Sequence, residues 1–311
     1  MDETAADTAT QVFADHRELL FSVVYNLLGS VADTDDVLQD TWMSWAARSR
    51  SADADEIVNP RAYLVRIAVN TALGRQAAIS RRRETYVGPW LPEPVLTPDV
   101  TVPDEADPAL RNESVSMALL VVLETLTPLE RAVFVLHEVF GYAHTEIAEI
   151  VDRSPSAIRQ LAHRAREHVH SRRPRYHADP RVQREATERF IAAALGGDIE
   201  ALMKILAPDV TLWSDSGGNV GPGAALRPIY GRDKVARTLV GVASRRTPDN
   251  VDIRYRSVNG DPSALLFSDD APFAVMVLDL GQNGEVSGVY AVINPDKLTH
   301  LADDPAEALP E

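Results

Sequence analysis

Six prolines fall between Thr85 and Pro108, at positions 89, 92, 94, 98, 103 and 108. Each fixes φ and removes a backbone donor, which excludes helix interior and central strand across this stretch. The chain is therefore expected to fold as blocks on either side of an extended connector. Within the connector, "GPWLPEPV" at Gly88–Val95 carries Trp90 and Leu91. Large apolar side chains on a stiff, extended segment need a folded surface to receive them.

Charge divides the chain a second way. The net charge is −15, yet Arg61–Arg83 holds six arginines and no acid, and Arg153–Arg175 holds seven arginines and the single acid Glu167. Two short cationic blocks in an acidic chain fit contact with phosphate at two places. There is no cysteine, which excludes disulfides, thiolate zinc sites and cysteine nucleophiles. No metal ligand set and no cofactor motif is read from the sequence. The acidic start MDETAADTAT lacks the basic-then-apolar order of a signal peptide, and no stretch reaches the roughly 18 apolar residues of a membrane span. The expected location is cytoplasmic, with no membrane partner.

The block before the connector reads as helices. Leu19, Leu20, Val23, Val24, Leu27 and Leu28 recur at helical spacing, and Gly29 closes the stripe. In the next helix Val37, Leu38, Thr41, Trp42 and Trp45 form an apolar side beside Asp33, Asp35, Asp36, Gln39 and Asp40. Asn59 as N-cap and Pro60 at the first turn start a third helix. Leu64, Ile67, Ala68 and Thr71 are expected to face inward, with Arg66 and Asn70 outward.

After the connector, "TPLE" at Thr127–Glu130 is a capping box that opens a helix running to Gly141. A short helix with Ile147, Ala148 and Ile150 follows, then a turn, then a longer helix capped by Ser154 and opened by Pro155. Its inward residues are Ile158, Leu161, Ala162, Ala165 and Val169. Ser156, Arg159, Gln160, His163, Arg164 and Arg166 are left outside, a set of donors suited to base edges and phosphates in a major groove. From about Arg181 the pattern changes: two helices, the strand "DVTLW", a helix, and four strand-like runs joined by Asn259–Gly260 and Asn283–Gly284. That order implies an α+β domain with a curved sheet wrapped around helices and able to enclose a pocket.

These stretches resemble a known family. "ADTDDVLQDTW", "PRAYLVRIAVNTAL" and "LTPLERAVFVLHEVFGYAHTEIAEIVDRSPSAIRQLAHRAR" are similar to regions 2 and 4 of extracytoplasmic-function (ECF) RNA polymerase sigma factors. The third block resembles the SnoaL-like (NTF2-like) extension of the sigma-J-like subgroup, whose linker "WLPEP" and C-terminal "NPDKL" stand here at Trp90–Pro94 and Asn294–Leu298. The subgroup's Asp-Gly-Gly-Gly-basic motif departs to "DSGGN", which keeps Asp215, Gly217 and Gly218 but has Ser216 and lacks the base at Asn219.

The resemblance implies a multidomain chain with two all-α sigma domains, a region 2 helical bundle and a region 4 helix-turn-helix, plus an α+β SnoaL/NTF2-like cone. The expected boundaries are 10–84 for region 2, 85–110 for the linker, 111–175 for region 4, 178–300 for the cone and 301–311 for a tail. It also implies roles. Asp33, Asp35, Asp36, Gln39, Asp40 and Trp42 would bind the β′ coiled coil of core RNA polymerase, with the β flap as a further contact. Arg66, Asn70, Arg75, Arg81, Arg82 and Arg83 would engage the −10 element, and the outer face of the Pro155 helix the −35 element of promoter DNA. Trp90, Leu91, Pro92, Glu93 and Pro94 are expected to dock near Asp215, Gly217 and Gly218 and near Asn294, Pro295, Asp296, Lys297 and Leu298. The extension would then regulate the sigma domains in cis, and its pocket would take a small ligand that no sequence feature identifies.

Two other classes stay open at this level. A ligand-gated DNA-binding repressor would need operator binding without polymerase. A SnoaL-like enzyme fused to a DNA-binding module would need a catalytic set, for which Asp215, Asp252, Tyr290 and His300 are the available acids and bases. No spacing couples those four residues. Asp215 beside glycines also has a plain reading as a turn residue, and "NPDKL" as a strand end and cap with Lys297 exposed.

Overall fold

The computed structural model describes residues 3–50, 57–98, 115–172, 178–218, 225–248 and 250–302. Asn219, Pro103, Pro108 and the stretch of the expected tail beyond residue 302 lie outside these ranges. The chain forms two compact units. The first comprises Met1–Arg82 and Val122–Arg173, the second Arg83–Val121 and Pro174–Glu311.

In the first unit α1 (Glu3–Leu28), α2 (Val31–Ser49) and α3 (Pro60–Glu84) form the leading helices. The α1 stripe is buried at Leu20, Val23, Val24, Leu27 and Leu28. Gly29 ends the helix at φ 68°, in the left-handed region that glycine enters without strain. Ser30 caps α2 by accepting from the Asp33 amide at 3.2 Å, and Asn59 caps α3 by accepting from Ala62 at 3.0 Å. Trp45 is buried and its indole N–H donates to Ala9 O at 2.9 Å. Leu64, Val65, Ala68, Val69 and Ala72 form the buried side of α3, with Ile67 and Thr71 half-buried at its margin.

The later part of this unit holds α5 (Pro128–Phe134), a π-helical turn (Val135–Val139), α6 (His144–Ile150) and α7 (Pro155–Arg172). The reciprocal Thr127–Glu130 capping box is formed. Asp152, at φ 52°, makes the tight turn between α6 and α7. Arg131 was not singled out from sequence, yet it is buried; its Nε donates to Asn26 O at 2.9 Å and its Nη1 pairs with Glu124.

In the second unit a seven-stranded sheet has the order β1-β4-β5-β6-β7-β2-β3. The strands are β1 (Leu96–Thr97), β2 (Leu206–Asp215), β3 (Ile229–Tyr230), β4 (Val251–Val258), β5 (Asp261–Ser268), β6 (Ala271–Leu280) and β7 (Val286–Val292). Among the described residues only β2 and β7 pair in parallel. The helices are α4 (Met117–Leu123, whose last two residues group with the first unit), α8 (Pro180–Leu195), α9 (Ile199–Ile205) and α10 (Arg232–Arg246).

Strand pleating sends alternate residues to opposite faces. Leu266, Ala274, Met276 and Ala291 pack with Phe190 and Ile191 of α8 and with Val235 and Ala236 of α10. Leu265, Phe267, Val275, Val277 and Val292 pack on the other face with Leu91, Met117, Ala118, Leu298 and Leu301. The sheet is buried on both sides. The second cover is supplied by Leu91 and Leu96 of the connector, by α4 and by Leu298 and Leu301. This packing runs past residue 300, since Leu301 is buried in it.

The connector is thus an integral layer of this unit. Leu96 and Thr97 pair with Val258 and Ser257 at the sheet edge, and Val95 O accepts from the Asn259 amide at 2.9 Å. Leu91 is fully buried. Truncating it should cost about 2–5 kcal/mol of docking stability, as for other large-to-small changes in packed interiors. Leu91→Ala is expected to be cleaved within residues 86–98 at least tenfold faster than wild type in limited proteolysis of the full chain, and equal rates would contradict the packing role.

Candidate functional site

Four groups of residues carry the expected functions. Three of them sit in the first unit, Arg83 apart, and two of these meet there. On α2, Asp35, Asp36 and Gln39 are exposed, Asp33 and Asp40 are half-buried, and the half-buried Trp42 packs obliquely on Phe13 at 5.3 Å between ring centroids. Arg75 of α3 donates to Asp36 at 2.8 Å and to Asp40 at 2.5 Å, and Arg82 pairs with Asp33 at 2.5 Å. Residues expected to face polymerase therefore hold arginines expected to face DNA. Arg66 and Arg81 are exposed. The Asn70 side-chain amide donates to Arg66 O at 2.8 Å and to Ile150 O at 2.7 Å, so its donors are engaged within the unit.

On α7 the expected division holds along the helix. Ile158, Ala162, Ala165 and Val169 are buried and Leu161 is half-buried, while Ser156, Arg159, Gln160, His163 and Arg164 are exposed. Ser154 accepts from the Ala157 amide at 3.3 Å and so caps the helix. Arg164 reaches Glu130 at 3.2 Å and Arg166 reaches Glu138 at 3.0 Å, which orients both guanidinium groups along the helix-turn-helix. His163 lies 3.5 Å from Glu167. Arg159 and Gln160 project from the first turns of α7, where the helix-turn-helix fold presents base-reading side chains.

The fourth group lies in the second unit, and its centre is Asp215 at the end of β2. Its carboxylate is fully buried and accepts four hydrogen bonds. Oδ1 accepts from the Tyr86 hydroxyl and from the Gly217 amide at 3.1 Å. Oδ2 accepts from the Leu91 amide at 2.8 Å and from Lys297 Nζ at 2.8 Å. Lys297 Nζ also donates to Leu91 O, so both polar groups of one connector peptide unit are held by a single ion pair. Asn294 caps the turn at Pro295–Lys297 by accepting from Asp296 at 3.1 Å, and its amide donates to the Tyr86 hydroxyl at 2.9 Å. His300 meets Pro94 O at 2.6 Å.

Trp90 is half-buried, with the Lys297 ammonium 3.9 Å and the Arg83 guanidinium 3.5 Å from its ring centroid. Arg83, expected at the −10 element, is stacked on the connector in this structure. Pro92 and Pro94 are buried, Glu93 is half-buried, and Pro295 and Asp296 are exposed. The prolines suit the site because a buried segment without N–H groups leaves fewer donors to satisfy.

The local sequence explains the geometry. Gly217 and Gly218 both have positive φ, at 65° and 77°. A Cβ on Gly217 would overlap the Asn294 amide, and one on Gly218 would come within 3.3 Å of Val87. The two glycines let β2 turn tightly while the connector and the Asn294 turn close over it. The turn-residue reading of Asp215 is correct as far as its bond to Gly217 goes, and the same carboxylate also receives the connector. Lys297 is buried rather than exposed, which corrects the reading of "NPDKL" as a surface cap. Tyr86 was not picked out, because its only signal in the sequence is an aromatic residue just after the "SRRRE" charge run.

The four residues available for acid–base work are not gathered into one cluster. Asp252 pairs with Arg254 at 2.8 Å, Tyr290 stacks on Trp213 at 4.9 Å, and His300 and Asp215 are engaged as described above. Among the described residues no group of acids and histidines could hold a metal ion.

Burial pulls the Lys297 amine down to about 8, against the opposing pull of Asp215. Burial and the Asp215 carboxylate push the Tyr86 hydroxyl well above its usual value, so it remains a donor. Because the Lys297 value lies below the ordinary 10.5, the unfolded chain binds more protons between about pH 8 and 10.5. Stability of this unit should therefore rise with pH from about 8 to 10, above which Tyr86, ionised first in the unfolded chain, opposes the gain. In Lys297→Met this slope should vanish, as urea unfolding at several pH values would show. At neutral pH, Asp215→Asn should cost about 3–5 kcal/mol by leaving a buried cation unpaired, and Asp215→Leu combined with Lys297→Met should cost less than the two single changes summed. Additive losses would mean that the pair is not coupled.

Comparisons with known proteins agree with this architecture. The sigma-70 region 2 family matches residues 12–83 and the sigma-70 region 4 family matches residues 116–169. The chain is 36% identical over 296 residues to the ECF RNA polymerase sigma factor SigJ of Mycobacterium tuberculosis, covering 91% of each chain. It is 30% identical to the ECF RNA polymerase sigma factor SigG of the same organism, covering 94% of this chain and 83% of that one. The crystal structure of M. tuberculosis SigJ superposes with a TM-score of 0.71 at 34% identity, covering 93% of this chain and 98% of that one. The chain belongs to the extracytoplasmic-function RNA polymerase sigma factors, alternative sigma subunits that direct transcription initiation.

Proposed function

We propose that this sigma factor joins core RNA polymerase in the cytoplasm through the acidic face of α2, reads the two promoter elements with α3 and α7, and is regulated in cis by its C-terminal unit. No helix among the described residues is long and apolar enough to cross a membrane. The exposed Arg159, Gln160 and His163 on the second helix of a helix-turn-helix support −35 contact. Asp35, Asp36 and Gln39 support docking on the β′ coiled coil, with region 4 taking the β flap.

The ion pairs of Arg75 with Asp36 and Asp40, and of Arg82 with Asp33, give the two surfaces a common element. Partly exposed pairs of this kind contribute about 0–1 kcal/mol each, so a polymerase surface that takes the aspartates frees the arginines for DNA at little cost. The chain then gains −10 affinity only in the presence of its enzyme.

The observation that carries the regulatory part is the capture of the Leu91 peptide unit by Asp215 and Lys297. A connector held there cannot at the same time be threaded elsewhere. Its release or retention sets whether the region between the two sigma domains is available to polymerase.

Run-off transcription with purified core polymerase and a cognate promoter tests both parts. Arg159→Ala should lower transcription from a promoter with an intact −35 element about 5- to 150-fold, the equivalent of about 1–3 kcal/mol for one base-reading contact, while leaving core binding unchanged. Lys297→Met should change transcript yield at saturating core polymerase, and identical yields would remove the regulatory reading. Tight operator binding by the protein alone, with no transcript in any mixture, would instead favour a repressor.

A further inference from the structure

The sheet of the second unit carries two structures on its two faces, and only one of them has been given a role. The connector dock occupies the face of Trp213 and Asp215. On the opposite face, between the sheet, α8 and α10, lies a cavity of about 350 Å³. This is within the range of roughly 300–1,000 Å³ typical of small-molecule sites.

The chemistry of its wall is narrow. Leu212, Leu239, Leu266, Phe273, Met276 and Ile293 are among the lining side chains, and none of the described lining residues is ionisable. The polar contribution is hydroxyl only. Thr238 already donates to Lys234 O at 2.8 Å. Ser214 and Ser216 make no side-chain hydrogen bond with the described residues, and both line the cavity. A charged ligand would lose its hydration here without a countercharge, which costs several kcal/mol. An apolar ligand with one or two hydrogen-bonding groups has the whole wall to cover and the hydroxyls of Ser214, Ser216 and Thr247 to meet.

The position of those hydroxyls matters more than their number. Ser214 and Ser216 flank Asp215 in sequence. β2 ends at Asp215, whose carboxylate holds the connector while the neighbouring hydroxyls face the cavity. Pro295, which also lines the cavity, opens the turn that carries Lys297. Both members of the ion pair that clamps Leu91 are therefore within two residues of the cavity wall. A ligand can shift the dock only by binding its two states differently, and the shared backbone supplies that difference.

We propose that the cavity binds an uncharged, predominantly apolar small molecule with a hydrogen-bonding group at the Ser214–Ser216 end, and that its occupancy is read out at Asp215 as a change in connector retention. The second half rests on the regulatory reading given above, and the first half does not.

The test uses the full chain and 1-aminoanthracene, a neutral aromatic amine, as a fluorescent probe. Saturable one-to-one binding to wild type is expected, weakened at least tenfold by Ala274→Phe on the sheet wall and by Ala243→Phe on the helical wall. The anionic probe 1-anilinonaphthalene-8-sulfonate should bind at least tenfold more weakly than the neutral one. Cleavage within residues 86–98 should change at least threefold when the neutral probe saturates. Circular dichroism melts identify a filled variant that has not folded, and the other variant then decides. No binding to wild type, binding undiminished in a folded filled variant, or equal binding of the sulfonate would overturn the assignment of the site. Binding with an unchanged cleavage rate would overturn the coupling. None of these readouts involves transcription, so a failure here is separable from a failure of the run-off experiment.

Discussion

A carboxylate taken fully out of water must find donors for all its lone pairs, and at Asp215 the fold alone supplies only half of them. The Gly217 amide and the Lys297 ammonium belong to the body of the second unit. The Tyr86 hydroxyl and the Leu91 amide come from the connector. Hydrogen bonds to charged groups contribute about 1.5–3 kcal/mol each, and leaving a buried partner unsatisfied costs a similar amount. The connector is therefore retained by the cost of uncovering an ion pair as well as by its own contacts. Leu91, Leu96, Met117 and Leu298 complete the seal over a sheet face that would otherwise expose Phe267, Val275 and Val277.

This constraint explains why a proline-rich segment belongs here. An extended segment laid over a buried charge has few ways to satisfy its own N–H groups. Pro92 and Pro94 remove two of them, while Leu91 and Val95 aim theirs at side chains that accept. Rigidity also lowers the entropy lost on docking. The sequence character that marks the segment as a connector is the same character that lets it pack as a layer.

The helices of both units other than α4, the turn signals and the strands β4 to β7 were legible because each has a strong local cause. Asn59–Pro60 and Thr127–Glu130 start helices by capping chemistry, and Asn259–Gly260 sits at a tight hairpin with positive φ at both residues. Trp90 and Leu91 on an extended segment signal that a folded surface receives them, but where they dock was legible only through resemblance in Trp90–Pro94 and Asn294–Leu298. Nothing local says that Lys297 is buried, and its partner lies 82 positions away in sequence. β1 and β3 escaped because two-residue strands have no periodicity to detect. The second cover on the sheet had a signal that was open to reading: "ALLF" in β5 and "FAVMVL" in β6 are continuous apolar runs, the mark of strands buried on both faces. Tyr86 and Arg131 had little, since each also depends on a partner more than a hundred positions away, Asp215 and Asn26.

The most direct test of the clamp is the exchange of a single amide hydrogen. In the intact chain at neutral pH, the Leu91 N–H should exchange at a rate comparable to that of Ile293, whose amide donates to the backbone carbonyl of Asp215 at 2.8 Å. Exchange of Leu91 at the rate of an open chain, with Ile293 still protected, would show that the connector is not held by Asp215 and would contradict the account.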